Sequence, residues 1–231
     1  MRRAVVHLAA VSTMLLATAD LLQGVTTKQL AEQRLDRSAD VLDEIIGMQD
    51  KGIPQQVIEN AKCIAIVPTM LMGGFVFGTR QGQGVATCKI RDGWSAPTFF
   101  TIIGGKWGMQ FGVQDVDLVM VVMNTDGMQD IVNNAFELGA NVSAAAGAIG
   151  CHAVVQTDWQ TSTKILTYSH AKGIFSGISL AGAWISPDRD AVISVYGKQL
   201  TAQEILSGGI SPTPEANKFL KTVNELEQDA K

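Results

Sequence analysis

The chain has 231 residues, with 18 basic against 22 acidic side chains, 46% hydrophobic residues, 17% charged residues and 23 glycines. That length suits one domain with a sizeable core, and the low charge excludes a disordered chain. The acidic balance excludes nucleic acid as the main partner, because phosphate contacts require a basic footprint.

Residues 1–19 have the form of an export signal. Arg2 and Arg3 precede an apolar stretch from Ala4 to Leu16, and Ala17-Thr18-Ala19 supplies the small-x-small cleavage pattern. The apolar run is shorter than the roughly 20 residues that span a bilayer, so cleavage is expected rather than a retained anchor. The expected mature chain, residues 20–231, is one exported domain, periplasmic or secreted, soluble and peripheral to a membrane. Without Arg2 and Arg3 it keeps 16 basic residues against 22 acidic ones, a net charge of −6.

Thr26-x-x-Gln29 has capping-box form and predicts a helix over 29–50. Leu35, Ala39, Leu42, Ile45, Ile46 and Gln49 form its apolar stripe, with Arg34, Arg37, Asp40, Asp43 and Glu44 on the remaining surface. The stripe is expected to pack on a sheet rather than to insert in a membrane. Pro54 starts a short helix to Ala61. Cys63–Val67 then reads as a strand stopped by Pro68, and Gly74–Arg80, Gly84–Arg91 and Pro97–Ile103 as further strands. Asp92-Gly93 is the clearest hairpin turn. Asp117–Met123 reads as a fully buried strand, Gly127–Ala135 as a short helix, and the small-residue block Gly139–Gly150 as a tight crossing or groove floor. Strands follow at Thr163–Ser169 and Gly173–Trp184, then helices at Asp188–Tyr196, Thr201–Leu206 and 214–228. Helices at both ends and strands between them predict an α+β fold. Its sheet would be mainly antiparallel and glycine-rich, open or a partly closed barrel, with a domain core over about 29–206.

No convincing catalytic set emerges. Tyr168-x-x-x-Lys172 has the spacing of a dehydrogenase pair, but Gly82-Gln83-Gly84 lacks the third glycine and precedes a strand. Ser169-x-x-Lys172 copies one motif of penicillin-binding enzymes without its companions. The cysteines Cys63, Cys88 and Cys151 match no zinc spacing. Buried thiols are expected at Cys63 and Cys88, with a bridge between them as the alternative that export would permit. Asp115 and Asp117 share a strand face and read as solvated carboxylates. No cofactor or metal is expected.

The basic residues are uneven. Residues 61–110 hold Lys62, Arg80, Lys89, Arg91 and Lys106 against the single acid Asp92. Gly104-Gly105-Lys106-Trp107-Gly108 has the amides and lysine of an anion cradle, or of a packed turn. The expected contact surface for an anionic lipid is therefore Lys62, Arg80, Lys89, Arg91, Lys106 and Trp107, with Lys172 contributing.

Several blocks, in order, resemble the SYLF domain family. They are Ile66-Val67-Pro68, Gly74-Phe75-Val76-Phe77-Gly78, Gly82-Gln83-Gly84-Val85, Gly93-Trp94-Ser95-x-Pro97, Gly108-Met109-Gln110-Phe111-Gly112, Ala145-Ala146-Gly147-Ala148-Ile149-Gly150 and Tyr168-Ser169-x-x-Lys172-Gly173-x-Phe175-x-Gly177. The resemblance spans about Arg34 to Gly197. It implies lipid binding without enzymatic activity and, in yeast members, actin binding. For an exported, bacterial-type member the expected partner is an anionic lipid or membrane surface, phospholipid or phosphoinositide-like, and actin is not expected. The alternative is a structural or protein-interaction module of the envelope that binds no lipid.

Overall fold

A computed structural model of the chain describes residues 25–48, 52–74, 77–107, 112–127, 130, 135–139, 143–147, 163–171 and 174–229. The export signal, Lys172 and most of the expected helix at Gly127–Ala135 lie outside these residues.

The capping box is present. The Thr26 hydroxyl accepts from the Gln29 N–H at 3.2 Å, and the Gln29 side chain accepts from the Thr26 N–H at 2.8 Å. Helix α1 (Thr27–Ile46) follows, then α2 (Gln55–Asn60). The strands are β1 (Cys63–Gly74), β2 (Phe77–Ile90), β3 (Gly93–Trp94), β4 (Thr98–Trp107), β5 (Gly112–Val122), β6 (Phe136–Glu137), β7 (Ala144–Ala146), β8 (Ile165–Ala171), β9 (Ile174–Gly177) and β10 (Ala183–Pro187). Asp188 caps α3 (Arg189–Tyr196) by accepting from the Ala191 N–H. Helix α4 (Ala202–Glu204) runs into a π turn at Ile205–Gly209, and Pro214–Ala216 leads into α5 (Asn217–Asp229).

The sheet order is β6-β10-β4-β2-β1-β5-β8-β7, with β3 on β2 and β9 on β8. Among the described pairs all are antiparallel except β7 with β8. The sheet curls into a half-barrel flanked by the terminal helices, an α+β fold.

Period-2 alternation divides the core between two faces. On the outer face, Leu35, Leu42 and Ile45 of α1 and Phe219 and Val223 of α5 pack on Ile64, Ile66, Val85, Phe99, Val119, Val121 and Tyr168. Burying one such leucine or phenylalanine contributes about 2 kcal/mol, which explains why α1 lies on the sheet. The inner face holds Cys63, Ala65, Val67, Ala86, Cys88, Phe100, Ile102, Leu118, Met120, Val122 and Ile185. Strand β5 is apolar towards both, hence its unbroken hydrophobic run.

Four expectations are corrected. Arg34 is buried, not on the solvated face of α1. Cys63 and Cys88, directly opposite in β1 and β2, form a disulfide rather than two thiols. Pro68 does not stop its strand. The register of β1 slips between Val67 and Met70 against β5, and a proline at a bulge has no ladder bond to donate. Finally, the two strands expected at Gly74–Arg80 and Gly84–Arg91 are one strand, β2. Gly82, between the two expected strands, is not a turn residue, and Gly84 does not begin a new strand. A Cβ on Gly82 would fall 2.4 Å from Val67 Cγ1, and one on Gly84 2.4 Å from the Phe100 ring and 2.6 Å from the Ile66 carbonyl oxygen.

Candidate functional site

Arg80 and Lys89 do not present the free charge expected of them. Arg80 points to the inner face and is buried; its Nη1 donates to the Ser179 carbonyl at 3.0 Å, and burial lowers its pKa. Lys89 is tied into the fold: its Nζ is 3.1 Å from Glu227 Oε1, donates to the Glu59 carbonyl and lies over the Trp94 ring. Lys62 and Arg91 are exposed, without an ion pair among the described residues. Lys106 and Trp107 sit in β4 opposite Gly78 and Phe77. Arg91 follows Ile90 at the other end of β2, about 40 Å away along the strand at ~3.3 Å per residue. The glycine-lysine block is not a turn either, since Gly104 to Trp107 pair with Arg80 to Phe77 as strand.

A different site forms where α1 leaves the sheet. An open groove of about 370 Å³ runs between Leu30, Gln33, Arg34 and Arg37 of α1, Pro68, Thr69 and Leu71 of β1, and Gln81, Gly82 and Gln83 of β2. The inner core, by contrast, leaves a cavity of only about 20 Å³ between Ala65, Ala86, Phe100, Met120 and Ile185, room for one water at most. A ligand-sized space among the described residues is therefore on the outer face.

Two arginines line the groove in different states. Arg34 Nη1 is 3.0 Å from Asp188 Oδ2, and its guanidinium stacks 5.5 Å from the centre of the Phe99 ring. Burial lowers its pKa, opposed by the bond and charge of Asp188. Asp188 thus caps α3 with one oxygen and neutralises Arg34 with the other. Arg37, one turn on, is exposed and has no carboxylate partner among the described residues. Its charge is available to a ligand.

The sheet wall of the groove is unusual. Thr69 has φ +59°, a left-handed conformation that a β-branched residue adopts at a cost of about 1–3 kcal/mol. The Asp117 carboxylate on β5 holds it, accepting the Thr69 N–H at 2.9 Å. Beside the groove a registered row crosses four strands: Trp184, Ile103, Gln81 and Leu71, flanked by Glu137 and Asp115. Trp184, Ile103 and Leu71 are 51%, 56% and 50% exposed, and Leu30 on α1 is 49% exposed.

Sequence reasoning missed Arg37, Thr69 and this row. The signal within reach was Pro68, whose position in an otherwise regular strand marks a bulge.

A profile of the Ysc84 family, described as Las17-binding protein actin regulator, matches residues 103–226. The chain belongs to this family, that of the SYLF domain. It is 34% identical over 178 residues to LAS seventeen-binding protein 3 of Saccharomyces cerevisiae, covering 75% of this chain and 39% of that protein. It is 32% identical to an SH3 domain-containing protein of Schizosaccharomyces pombe (78% and 43% covered). It is 30% identical to human SH3 domain-containing YSC84-like protein 1 (71% and 48%). The chain thus spans less than half the length of these relatives. Their names describe binding or SH3-containing proteins, not enzymes. The expectation that actin is not a partner finds no support in a family described as an actin regulator. Among the described residues no helix is long and apolar enough to cross a membrane.

Proposed function

We propose that this chain is a non-enzymatic, exported domain that binds an anionic lipid surface of the cell envelope. The carrying observation is the groove: an exposed Arg37, without a carboxylate partner among the described residues, beside half-exposed Leu30 and Leu71. That pairing of cation and apolar walls suits an anionic headgroup with adjoining chain methylenes. The Cys63–Cys88 disulfide supports an oxidising compartment, as do Arg2, Arg3 and the apolar stretch after them. Lys62 and Arg91 remain candidates for peripheral contacts, and Lys106, Trp107 and Lys172 for separate ones.

A second reading is a protein-interaction module of the envelope. It is favoured by the Trp184–Ile103–Gln81–Leu71 row, whose acidic ends give it the apolar centre and charged rim of a protein interface.

Flotation of residues 20–231 with phosphatidylglycerol or phosphatidylcholine vesicles decides between the two readings. Salt-sensitive binding to phosphatidylglycerol, weakened about tenfold by Arg37→Glu and little by Arg91→Glu, is expected. Absence of binding to either vesicle sinks the lipid reading.

A further inference from the structure

The Tyr168–Gly177 block contains a residue that the groove does not use directly. His170, in β8, is only 6% exposed. Its Nδ1 lies 3.2 Å from Glu44 Oε2 on α1 and 3.6 Å from Asp117 Oδ2 on β5, yet neither ring nitrogen makes a hydrogen bond. Two carboxylates therefore face one buried imidazole that, as a neutral ring, gives them no aligned donor.

The carboxylates within 4 Å of its ring come from two elements. Helix α1 contributes Glu44 and β5 contributes Asp117, directly opposite His170 in register. Strand β9 pairs Phe175 with it, and β1 reaches the cluster through the Thr69 N–H on the second oxygen of Asp117. No three His, Cys, Asp or Glu side chains among the described residues are placed to hold a metal ion.

We propose that Glu44, His170 and Asp117 form a proton-operated clasp that joins α1 to β5 and β8 and sets the conformation of the groove wall at Thr69. Protonation makes both ring nitrogens donors, and the Nδ1–H then lies between the carboxylates. The imidazolium draws Glu44 inward with the end of α1, and shares Asp117 with the Thr69 amide. Asp117 is the single side chain common to the clasp and the left-handed residue of the groove. A charge change at His170 therefore reaches the wall through one hydrogen bond. Its consequence for ligand binding rests on the groove being the lipid site.

The test uses residues 20–231, which contain every element described. Amide and imidazole resonances are followed by NMR from pH 8.5 to 5. The Thr69 amide is expected to titrate with the same midpoint as the His170 ring, and to lose that titration in His170→Asn. The control His152→Asn, at the other histidine of residues 20–231, is expected to keep it. Vesicle binding of the wild type is expected to change at least threefold between pH 8 and 5.5, with a smaller change in His170→Asn. A Thr69 amide indifferent to the His170 midpoint overturns the clasp, whatever the vesicles show. A tracking amide without vesicle binding keeps the clasp and removes the lipid reading instead. Should His170→Asn unfold, Glu44→Gln, at an exposed position, replaces it. A shifted His170 midpoint then supports the clasp and an unchanged one overturns it.

Discussion

The two faces of β2 follow opposite rules. Inward, Gly82, Gly84, Ala86 and Cys88 are small, so that Phe100, Val67 and the Cys63 bridge fill the curve of the half-barrel. Outward, Val85 lies under the helices, while Gln81 and Gln83 are exposed where α1 ends its cover. Shape is fixed on one face and chemistry is presented on the other. Substitutions one residue apart should therefore differ sharply in consequence.

The largest difference is expected between positions 84 and 83. Gly84→Val places its first carbon 2.4 Å from the Phe100 ring and 2.6 Å from the Ile66 carbonyl oxygen, and the latter is backbone that cannot swing aside. A loss of about 3 kcal/mol, or failure to fold, is expected in urea denaturation. Gln83→Val, pointing outward, should stay within about 0.5 kcal/mol. Similar losses at both positions would break the distinction between the faces.

That distinction also marks how far the sequence could be read. The capping box, the buried run of β5 and the Asp92-Gly93 hairpin depend on neighbours a few residues apart, and each is where periodicity put it. Arg34 failed because its partner, Asp188, is 154 residues away, and no helical wheel contains it. The stretch Gln81–Gln83 reads as a turn because local rules cannot see Val67 approaching Gly82 from the neighbouring strand. The basic set was counted along the chain, whereas the curl of the sheet sends Arg80 inward and draws Lys89 to Glu227. Arg37 was visible only as one charge on an acidic helix, and what distinguishes it is the wall of β1 opposite.

A second measurement sharpens the contrast within the outer face, between its dry centre and its open margin. Both tyrosines of the chain pack toward the dry centre, Tyr168 within it and Tyr196 half-buried against it. Tyr168 is fully buried, and Tyr196 donates to the Pro97 carbonyl at 2.6 Å. Burial raises both phenol pKa values. With the folded value above the unfolded one, the unfolded chain loses its proton first as pH rises. Stability is therefore fully present below about pH 10 and declines above it, by about 1.4 kcal/mol per pH unit for each tyrosine. Absorbance at the tyrosinate band should stay flat through pH 10 and rise only together with loss of near-UV circular dichroism. A separate, non-cooperative rise near pH 10 would show that at least one phenol is wet.

The smallest effect on stability is expected in the exposed row. Trp184, Ile103 and Leu71 each leave about half their surface in water, so Trp184→Ser, Ile103→Ser or Leu71→Ser removes little buried area. Each should change stability by about 0.5 kcal/mol or less in urea denaturation. Their binding phenotype is the informative part. The row adjoins Leu30 and the groove, so on a bilayer it lies at the depth where tryptophan is favoured. The triple serine variant should then lose phosphatidylglycerol vesicles by several-fold while keeping the salt dependence that Arg37 confers. If the fold is intact and vesicle binding is unchanged, the row does not face lipid. Its carboxylates Glu137 and Asp115 then acquire their meaning as the rim of a protein contact, and the two outer-face features serve different partners.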